Sequence, residues 1–258
     1  MRDGELTLGV SMNLQQKLSI ATLLEAIGVD VIEVGYPGRY NKDFQEIFEI
    51  SKIIKNSIVC GLASSNQTEI VSVAEAIKPA KKGRINIFTP VNTKLKEQTL
   101  VEINNSVALA KTYCEDVQWN AFDATRTEPD FLCKAIEVAI NSGATTITIP
   151  DSLGLAKPEN FLQLLKTIFH RVSNIDKAIV AVHCHDDLGM ALDNSIVGLT
   201  CGVRQVECSI NGLGARKGNA DLEKVVKQIP TKYQNNIDTS LISLASKLVT
   251  KITGITKN

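Results

Sequence analysis

The sequence predicts an α/β fold, a TIM (β/α)8 barrel that lacks most of its first strand. Strand and helix patterns alternate with short connections, which means either a doubly wound sheet or a barrel. The strands are short, continuous apolar runs rich in Val and Ile, as expected of parallel strands covered on both faces. No Gly-x-Gly-x-x-Gly follows an early strand, which disfavours a dinucleotide-binding sheet. Polar residues gather at the predicted strand ends, where barrel active sites lie.

Seven strands are predicted, and a helix with apolar residues at a three- to four-residue period follows each one. The strands cover residues 29–35, 57–63, 84–90, 116–122, 145–151, 178–185 and 205–210. The helices that follow them cover residues 43–55, 68–77, 100–113, 129–141, 158–172, 190–201 and 220–228.

One further helix, at 14–27, precedes the first of these strands and ends at Gly28. A barrel needs a strand ahead of this helix, and residues 2–4 look like only the end of one. We therefore expect seven strands, a gap between the first and the last, weak metal binding and poor turnover. Residues 1–229 are expected to form the catalytic barrel domain, and 230–258 a short helical extension with a helix at about 241–252.

Composition and charge exclude several classes of partner. The chain has 28 basic and 28 acidic side chains, so its balance gives no support to nucleic acid or an anionic membrane as the main partner. No apolar run approaches the roughly 20 residues of a membrane span. The first ten residues lack the apolar core of a signal peptide. The six cysteines show no Cys-x-x-Cys spacing, which fits a reduced, cytoplasmic setting.

A pair of histidines, His183 and His185, is the strongest chemical signal. On a strand, the two-residue period places both imidazoles on one face. With an oxygen ligand from Asn219 and a carboxylate from Asp3, they would form a divalent metal site. Each residue has a simpler interpretation as well: core histidines, a helix N-cap at Asn219, and a disordered terminal residue at Asp3.

The order of these motifs resembles one family. It is that of the metal-dependent Claisen-type condensing enzymes, most closely 2-isopropylmalate synthase, with homocitrate and citramalate synthases as near relatives. The matching segments lie at 2–5 (Arg-Asp-Gly-Glu), 28–35, 130–133, 143–147, 149–154, 183–185 (His-Cys-His), 188–190, 204–208, 211–214 and 218–220 (Gly-Asn-Ala). The resemblance implies condensation of acetyl-CoA with a 2-oxo acid, as in leucine biosynthesis. It also implies a divalent metal (Mn, Mg or Zn) and a homodimer.

The resemblance also implies a role for individual residues. Asp3, His183, His185 and Asn219 would bind the metal. Arg2 would stabilise negative charge on the substrate oxygen, and Glu5 is assigned with it to catalysis. The residues expected to contact substrate are Arg2, Leu62, Asn86, Asn120, Phe122, Thr148 and Ser152. The glycines expected to approach the acyl-CoA are Gly212, Gly214 and Gly218, for which a plain tight turn is the alternative.

The chain departs from the family at several pocket positions. Leu6 stands where the family has Gln, Asn86 where it has His, Phe122 where it has Glu, Asp186 where it has Asn, and Ala215 where it has Glu. The 2-oxo acid is therefore open, and an acid bulkier or more apolar than 2-oxoisovalerate is expected. Two alternatives also stay open: a degenerate or truncated barrel that acts as an interaction subunit, and a lyase of the hydroxymethylglutaryl-CoA type.

Overall fold

The computed structural model describes residues 1–229 and 236–255. Its core is one parallel sheet whose strands follow chain order from β1 to β7. The strands are β1 (Val31–Gly35), β2 (Ile58–Ser64), β3 (Gly83–Pro90), β4 (Val117–Phe122), β5 (Thr146–Asp151), β6 (Ile179–Cys184) and β7 (Gln205–Glu207). The predicted seven strands are confirmed, and the sheet is a curled half-barrel.

Nine helices accompany the sheet in the described residues. They are α1 (Leu14–Ile27), α2 (Asn41–Ile53), α3 (Gln67–Ile77), α4 (Lys96–Tyr113), α5 (Pro129–Asn141), α6 (Pro158–Arg171), α7 (Ala191–Leu199), α8 (Leu222–Gln228) and α9 (Ile242–Thr253). Local chemistry sets the limits of α1: Asn13 and Gln16 form a capping box, and Gly28 ends the helix at a φ of 92°.

The strand faces divide by the two-residue period. In β4, Trp119 and Ala121 face the helices and are fully buried in the apolar core, while Gln118 faces the inside of the curl. Hydrogen bonds join interior residues of strands that are not neighbours. Asn86 on β3 donates to Glu33 on β1 at 2.9 Å, and Gln118 donates to Glu207 on β7 at 2.7 Å. Such bonds require the sheet to curl, so this face is the inside of a barrel.

The predicted gap between the first and last strands is confirmed. Among the described residues, β1 pairs with β2 and β7 pairs with β6, but β1 and β7 do not pair. A cavity of about 930 Å³ lies between them, lined by residues of both strands. The N-terminal segment enters this space, where Arg2 N–H donates to Glu33 C=O at 3.1 Å.

Helix α9 packs against α1 and against the 3-10 turn at Ile210–Gly212. The Nδ2 of Asn211 donates to Ser246 C=O at 3.3 Å and to Thr250 Oγ1 at 3.2 Å. The expected C-terminal helix is therefore present and lies against the barrel. None of the helices in residues 1–229 and 236–255 is both long and apolar enough to cross a membrane.

Candidate metal centre and active site

The two histidines meet on the inside of the barrel. His183 lies on β6 and His185 follows that strand directly, so the strand period brings both rings to the interior face. Their Nε2 atoms are 3.3 Å apart, and the ring planes cross at 73°. The shared face expected from the sequence is therefore present.

The Nδ1 atom of each histidine has a hydrogen-bond partner. His183 Nδ1 lies 3.1 Å from Glu207 Oε2, and His185 Nδ1 lies 3.3 Å from Gly218 C=O. A carbonyl and a carboxylate can only accept, so Nδ1 carries a proton in both rings, and in the neutral form of each ring Nε2 presents a lone pair. This is how metal-binding histidines are oriented.

The pKa values of the two histidines shift in opposite directions. Burial lowers the pKa of His183, but the hydrogen bond and negative charge of Glu207 raise it by more. For His185, burial and the neighbouring His183 lower the pKa to about 4. His185 is therefore neutral at physiological pH and able to bind a cation.

Asp3 and Asn219 complete the cluster. Asp3, His183 and His185 each offer a ligand atom within 4.8 Å of the others. Burial raises the pKa of Asp3, but Arg2, His183 and the hydrogen bond from Asn219 lower it to about 2, so Asp3 is a carboxylate. The Asn219 side-chain nitrogen donates to Asp3 and to Leu213 C=O.

The remaining side-chain atom of Asn219 tests whether the residues fit a metal. Its Oδ1 is buried and has no hydrogen-bond partner among the described residues. A buried acceptor without a partner is costly, and here it accompanies two imidazole lone pairs and a carboxylate. These four residues offer nitrogen and oxygen ligands suited to a divalent cation, so the residues fit.

The glycine-rich loop approaches this cluster closely. A Cβ on Gly214 would clash with Asn219 Nδ2 and would lie 2.9 Å from Asp3 Oδ2. Gly218 adopts a φ of 97°, and its carbonyl accepts from Asp186 N–H at 2.9 Å as well as from His185. Gly212 accepts from Asn219 N–H at 2.8 Å. The glycines therefore have a structural role in seating Asn219, apart from any contact with acyl-CoA.

Arg2 borders the cluster. Its Nε donates to Glu33 Oε1 at 2.7 Å and its Nη1 to Asp3 Oδ1 at 3.3 Å. Burial works against the charged form, but the Glu33 and Asp3 carboxylates raise the pKa of Arg2 well above its usual value. A fixed positive charge therefore stands beside the candidate metal site.

The residues expected to contact substrate occupy two levels of the pocket. Leu62 pairs in register with Asn86 on the interior face, and Asn120 pairs with Thr148. Asn86 and Asn120 each bury an Oδ1 without a hydrogen-bond partner among the described residues. The Thr148 hydroxyl donates to Glu207 at 2.9 Å. These four residues therefore line the interior of the barrel.

Phe122 and Ser152 lie at the carboxyl ends of β4 and β5. Phe122 is 45% exposed, and its ring lies 6.2 Å from that of Phe88. Ser152 is buried, and its hydroxyl accepts from Asp123 N–H at 2.9 Å, so the hydroxyl proton can still be donated.

Glu5 is not brought into the metal cluster. Its Oε1 accepts from Met12 N–H at 2.9 Å and from Lys42 Nζ at 2.7 Å, and its Oε2 lies 2.5 Å from Lys17 Nζ. Burial raises the pKa of Glu5, but the hydrogen bonds from Lys17, Lys42 and Met12 lower it by more. Both oxygens of its carboxylate are therefore already bound by these three donors.

Two site residues were not identified from the sequence. Glu207 supports His183, and Glu33 supports Arg2 and Asn86. A signal was available, because each is a charged residue inside a short apolar strand. In a barrel with a polar interior, such a residue points inward.

The fold and this cluster define the class: a half-barrel with an interior His-x-His, Asp and Asn site. A family model described as HMGL-like matches residues 1–249, so the chain belongs to the HMGL-like family. A 2-isopropylmalate synthase from Rhodopseudomonas palustris (strain BisA53) is 46% identical over 98% of this chain, and one from Bradyrhizobium sp. (strain ORS 278) is 45% identical over the same share. The chain spans about half the length of these relatives, 51% in both cases.

Solved structures confirm the fold. A hydroxymethylglutaryl-CoA lyase from Pseudomonas aeruginosa has a TM-score of 0.82 at 17% identity, covering 99% of this chain and 91% of that one. The carboxyl transferase domain of Rhizobium etli pyruvate carboxylase (Y628A, with pyruvate) has a TM-score of 0.81 at 15% identity, covering 98% of this chain and 46% of that one. At such low identity, these likenesses concern the barrel alone.

Proposed function

We propose that the chain is the catalytic barrel of an acyltransferase that condenses acetyl-CoA with a 2-oxo acid, of the 2-isopropylmalate synthase type that serves leucine biosynthesis. One observation carries the proposal: Asp3, His183 and His185 converge beside a buried, unpartnered Asn219 Oδ1. The curated relatives, named 2-isopropylmalate synthases, support this choice of reaction.

Asp3, His183, His185 and Asn219 would hold one divalent cation, and Mn, Mg and Zn are all compatible with this ligand set. When bound, the cation would supply Lewis-acid polarisation of the keto group. Glu207 and Gly218 hold the two rings in the tautomer that binding requires.

The chain's own residues would orient the substrates. Arg2, fixed by Glu33, would donate to the keto oxygen as negative charge develops there. Ser152 would donate a hydrogen bond to the carboxylate of the 2-oxo acid. The side chain of that acid would be lined by Leu62, Asn86, Asn120, Phe122 and Thr148. A C–H bond of the acetyl methyl group would break and its carbon would bond to the keto carbon, while the keto oxygen gains a proton that balances the one lost and becomes a hydroxyl. Water would then cleave the thioester C–S bond, which leaves a carboxylate and releases the CoA thiol.

We further propose that the loop with Gly212, Gly214 and Gly218 approaches the thioester, that the protein is a homodimer, and that it is cytoplasmic. A second candidate function is an interaction subunit without turnover, and the observation that favours it is that no strand of residues 1–229 and 236–255 pairs with the facing edges of β1 and β7. Homocitrate- or citramalate-type activity differs from the main proposal only in the acid used.

Thiol release tests the proposal. Purified protein is incubated with acetyl-CoA, one of the three metals, and a panel of acids that includes 2-oxoisovalerate, pyruvate and 2-oxoglutarate. We expect release that depends on both the acid and the metal, and that is lost in His183→Ala. Absence of release with every acid and metal would contradict the proposal and favour the interaction subunit.

A further inference from the structure

A second buried charge cluster lies beside the metal centre. Glu5, Asp43 and Glu46 offer three carboxylates within 4.8 Å of one another. The chain supplies its own cation: Lys17 Nζ contacts Glu5 at 2.5 Å and also contacts Glu46. Lys17 is completely buried, and lysine is almost never fully buried unless its charge is paired.

This cluster joins three elements. Glu5 belongs to the 3-10 turn Asp3–Leu6, Lys17 to α1 and Glu46 to α2. The turn is compact, since Glu5 N–H donates to Met1 C=O at 3.2 Å and Thr7 N–H to Gly4 C=O at 3.3 Å. A side chain that fixes Glu5 therefore also fixes Asp3, two residues earlier.

The turn depends on such contacts because it lies outside the hydrogen-bonded sheet. Besides Lys17, it is held by Arg2 on Glu33 and by Thr7 Oγ1, which exchanges hydrogen bonds with Gly214 at 2.8 and 3.1 Å. The Arg2 and Thr7 contacts are made by residues on either side of the turn. The turn itself is held through Glu5, which binds buried Lys17 on one oxygen and Lys42 and Met12 N–H on the other.

We propose that Lys17 and Glu5 form a buried clamp that positions Asp3 for metal binding, so that Lys17 and Glu5 are positioning residues. This inference rests on the proposed metal site. Ligand geometry is sensitive to its supports, and changing an outer-shell partner typically costs 10- to 100-fold in metal affinity.

The cluster contains its own matched control. Glu5→Gln places an amide among three donors, Lys17, Lys42 and Met12 N–H, so either orientation of the amide points its NH2 at a donor. Glu46→Gln makes the same charge change on the same lysine, but it touches α2 and leaves the turn bound. Its amide can turn its oxygen to Lys17. Lys17→Met is less suitable, since it leaves two carboxylates buried together.

The experiment titrates Mn²⁺ into wild type and both variants, with thermal unfolding measured in chelator. We expect Glu5→Gln to weaken Mn²⁺ binding by about 10-fold or more. The Mn²⁺ affinity of Glu46→Gln should stay within about 3-fold of wild type, even if its Tm falls as far as that of Glu5→Gln. If Glu5 only stabilised the fold, the two variants would lose affinity together. Equal affinities in the two variants would overturn the clamp.

Amide hydrogen exchange at residues 2–7, without metal, separates the clamp from the proposed function. Faster exchange in Glu5→Gln than in Glu46→Gln is expected, and equal exchange would overturn the clamp. If wild type binds no Mn²⁺ while the exchange difference is present, the metal site fails and the ordering of the turn by Lys17 stands.

Discussion

The Nε2 atoms of His183 and His185 lie 3.3 Å apart, and each ring is bound on its far side. In their neutral forms the two imidazoles direct the lone pairs of Nε2 at the same small volume. Asp3, with a pKa of about 2, adds a full negative charge to that volume. Arg2 and Asn219 already bind the Asp3 carboxylate, so the physical basis of the proposed metal centre is the convergence of three ligand atoms beside the unpartnered Asn219 Oδ1.

The contact between Glu207 and His183 gives the first prediction. Glu207→Gln should weaken metal binding by about 10-fold, because the carboxylate both orients the ring and raises its basicity. The replacement also points an amide NH2 at one of the present donors: Gln118, Thr148 or His183. Calorimetric titration with Mn²⁺ measures the change. Glu115→Gln, on a side chain that is almost wholly exposed, is the control, and equal affinity in the two variants would count against the role of Glu207.

Much of the fold was predictable because local chemistry determines it. The limits of α1 follow from Asn13 and Gly28, and continuous apolar runs mark the strands. The last strand was predicted over 205–210 but ends at Glu207. The chain leaves the sheet there because Ser209 pairs with Asp221 and Asn211 adopts a left-handed φ of 60°. The Asn-Gly dipeptide at 211–212 is a local turn signal, but the pairing of Ser209 with Asp221 has none.

The site was predictable to a different degree. The histidine pair could be read from strand periodicity, and Asn219 and Asp3 from the resemblance. The ion pairs of the Glu5 carboxylate could not be predicted, because its partners Lys17 and Lys42 lie on two helices that only the fold brings together. The interior bonds of Glu207 were hidden for the same reason, since Gln118 and Thr148 come from other strands.

Substrate preference depends on Phe122. Its ring lies at the mouth of the interior beside Phe88, at a position where the resemblance implies a carboxylate. We expect wild type to prefer a 2-oxo acid bulkier or more apolar than 2-oxoisovalerate. Phe122→Glu should move the kcat/KM ratio toward 2-oxoisovalerate by roughly 10-fold, the scale set by one methylene in an apolar pocket. Val101→Glu, on the exposed face of α4, is the matched control. An unchanged ranking of acids in Phe122→Glu would refute this role.

Strand completion gives a third prediction. The facing edges of β1 and β7 carry backbone groups that no strand of the described residues pairs, beside the cavity of about 930 Å³. An apolar strand of about six residues joined ahead of Met1 should pair with both edges. It should raise the Tm and tighten metal binding together, since Asp3 would then follow a paired strand. A Gly-Ser extension of the same length is the control. Tight metal binding in the chain without the strand, or no difference between the two extensions, would contradict this prediction.

The metal centre itself is tested most directly by histidine replacement. Mn²⁺ is titrated into wild type, His183→Ala and His170→Ala, the last an equal change on the exposed end of α6. Direct loss of a ligand should cost at least as much as loss of an outer-shell partner, about 10-fold or more in affinity. The account predicts that one equivalent of Mn²⁺ binds to wild type and to His170→Ala, and that His183→Ala binds it at least that much more weakly. Equal affinity in all three proteins, or no binding to wild type, would contradict it.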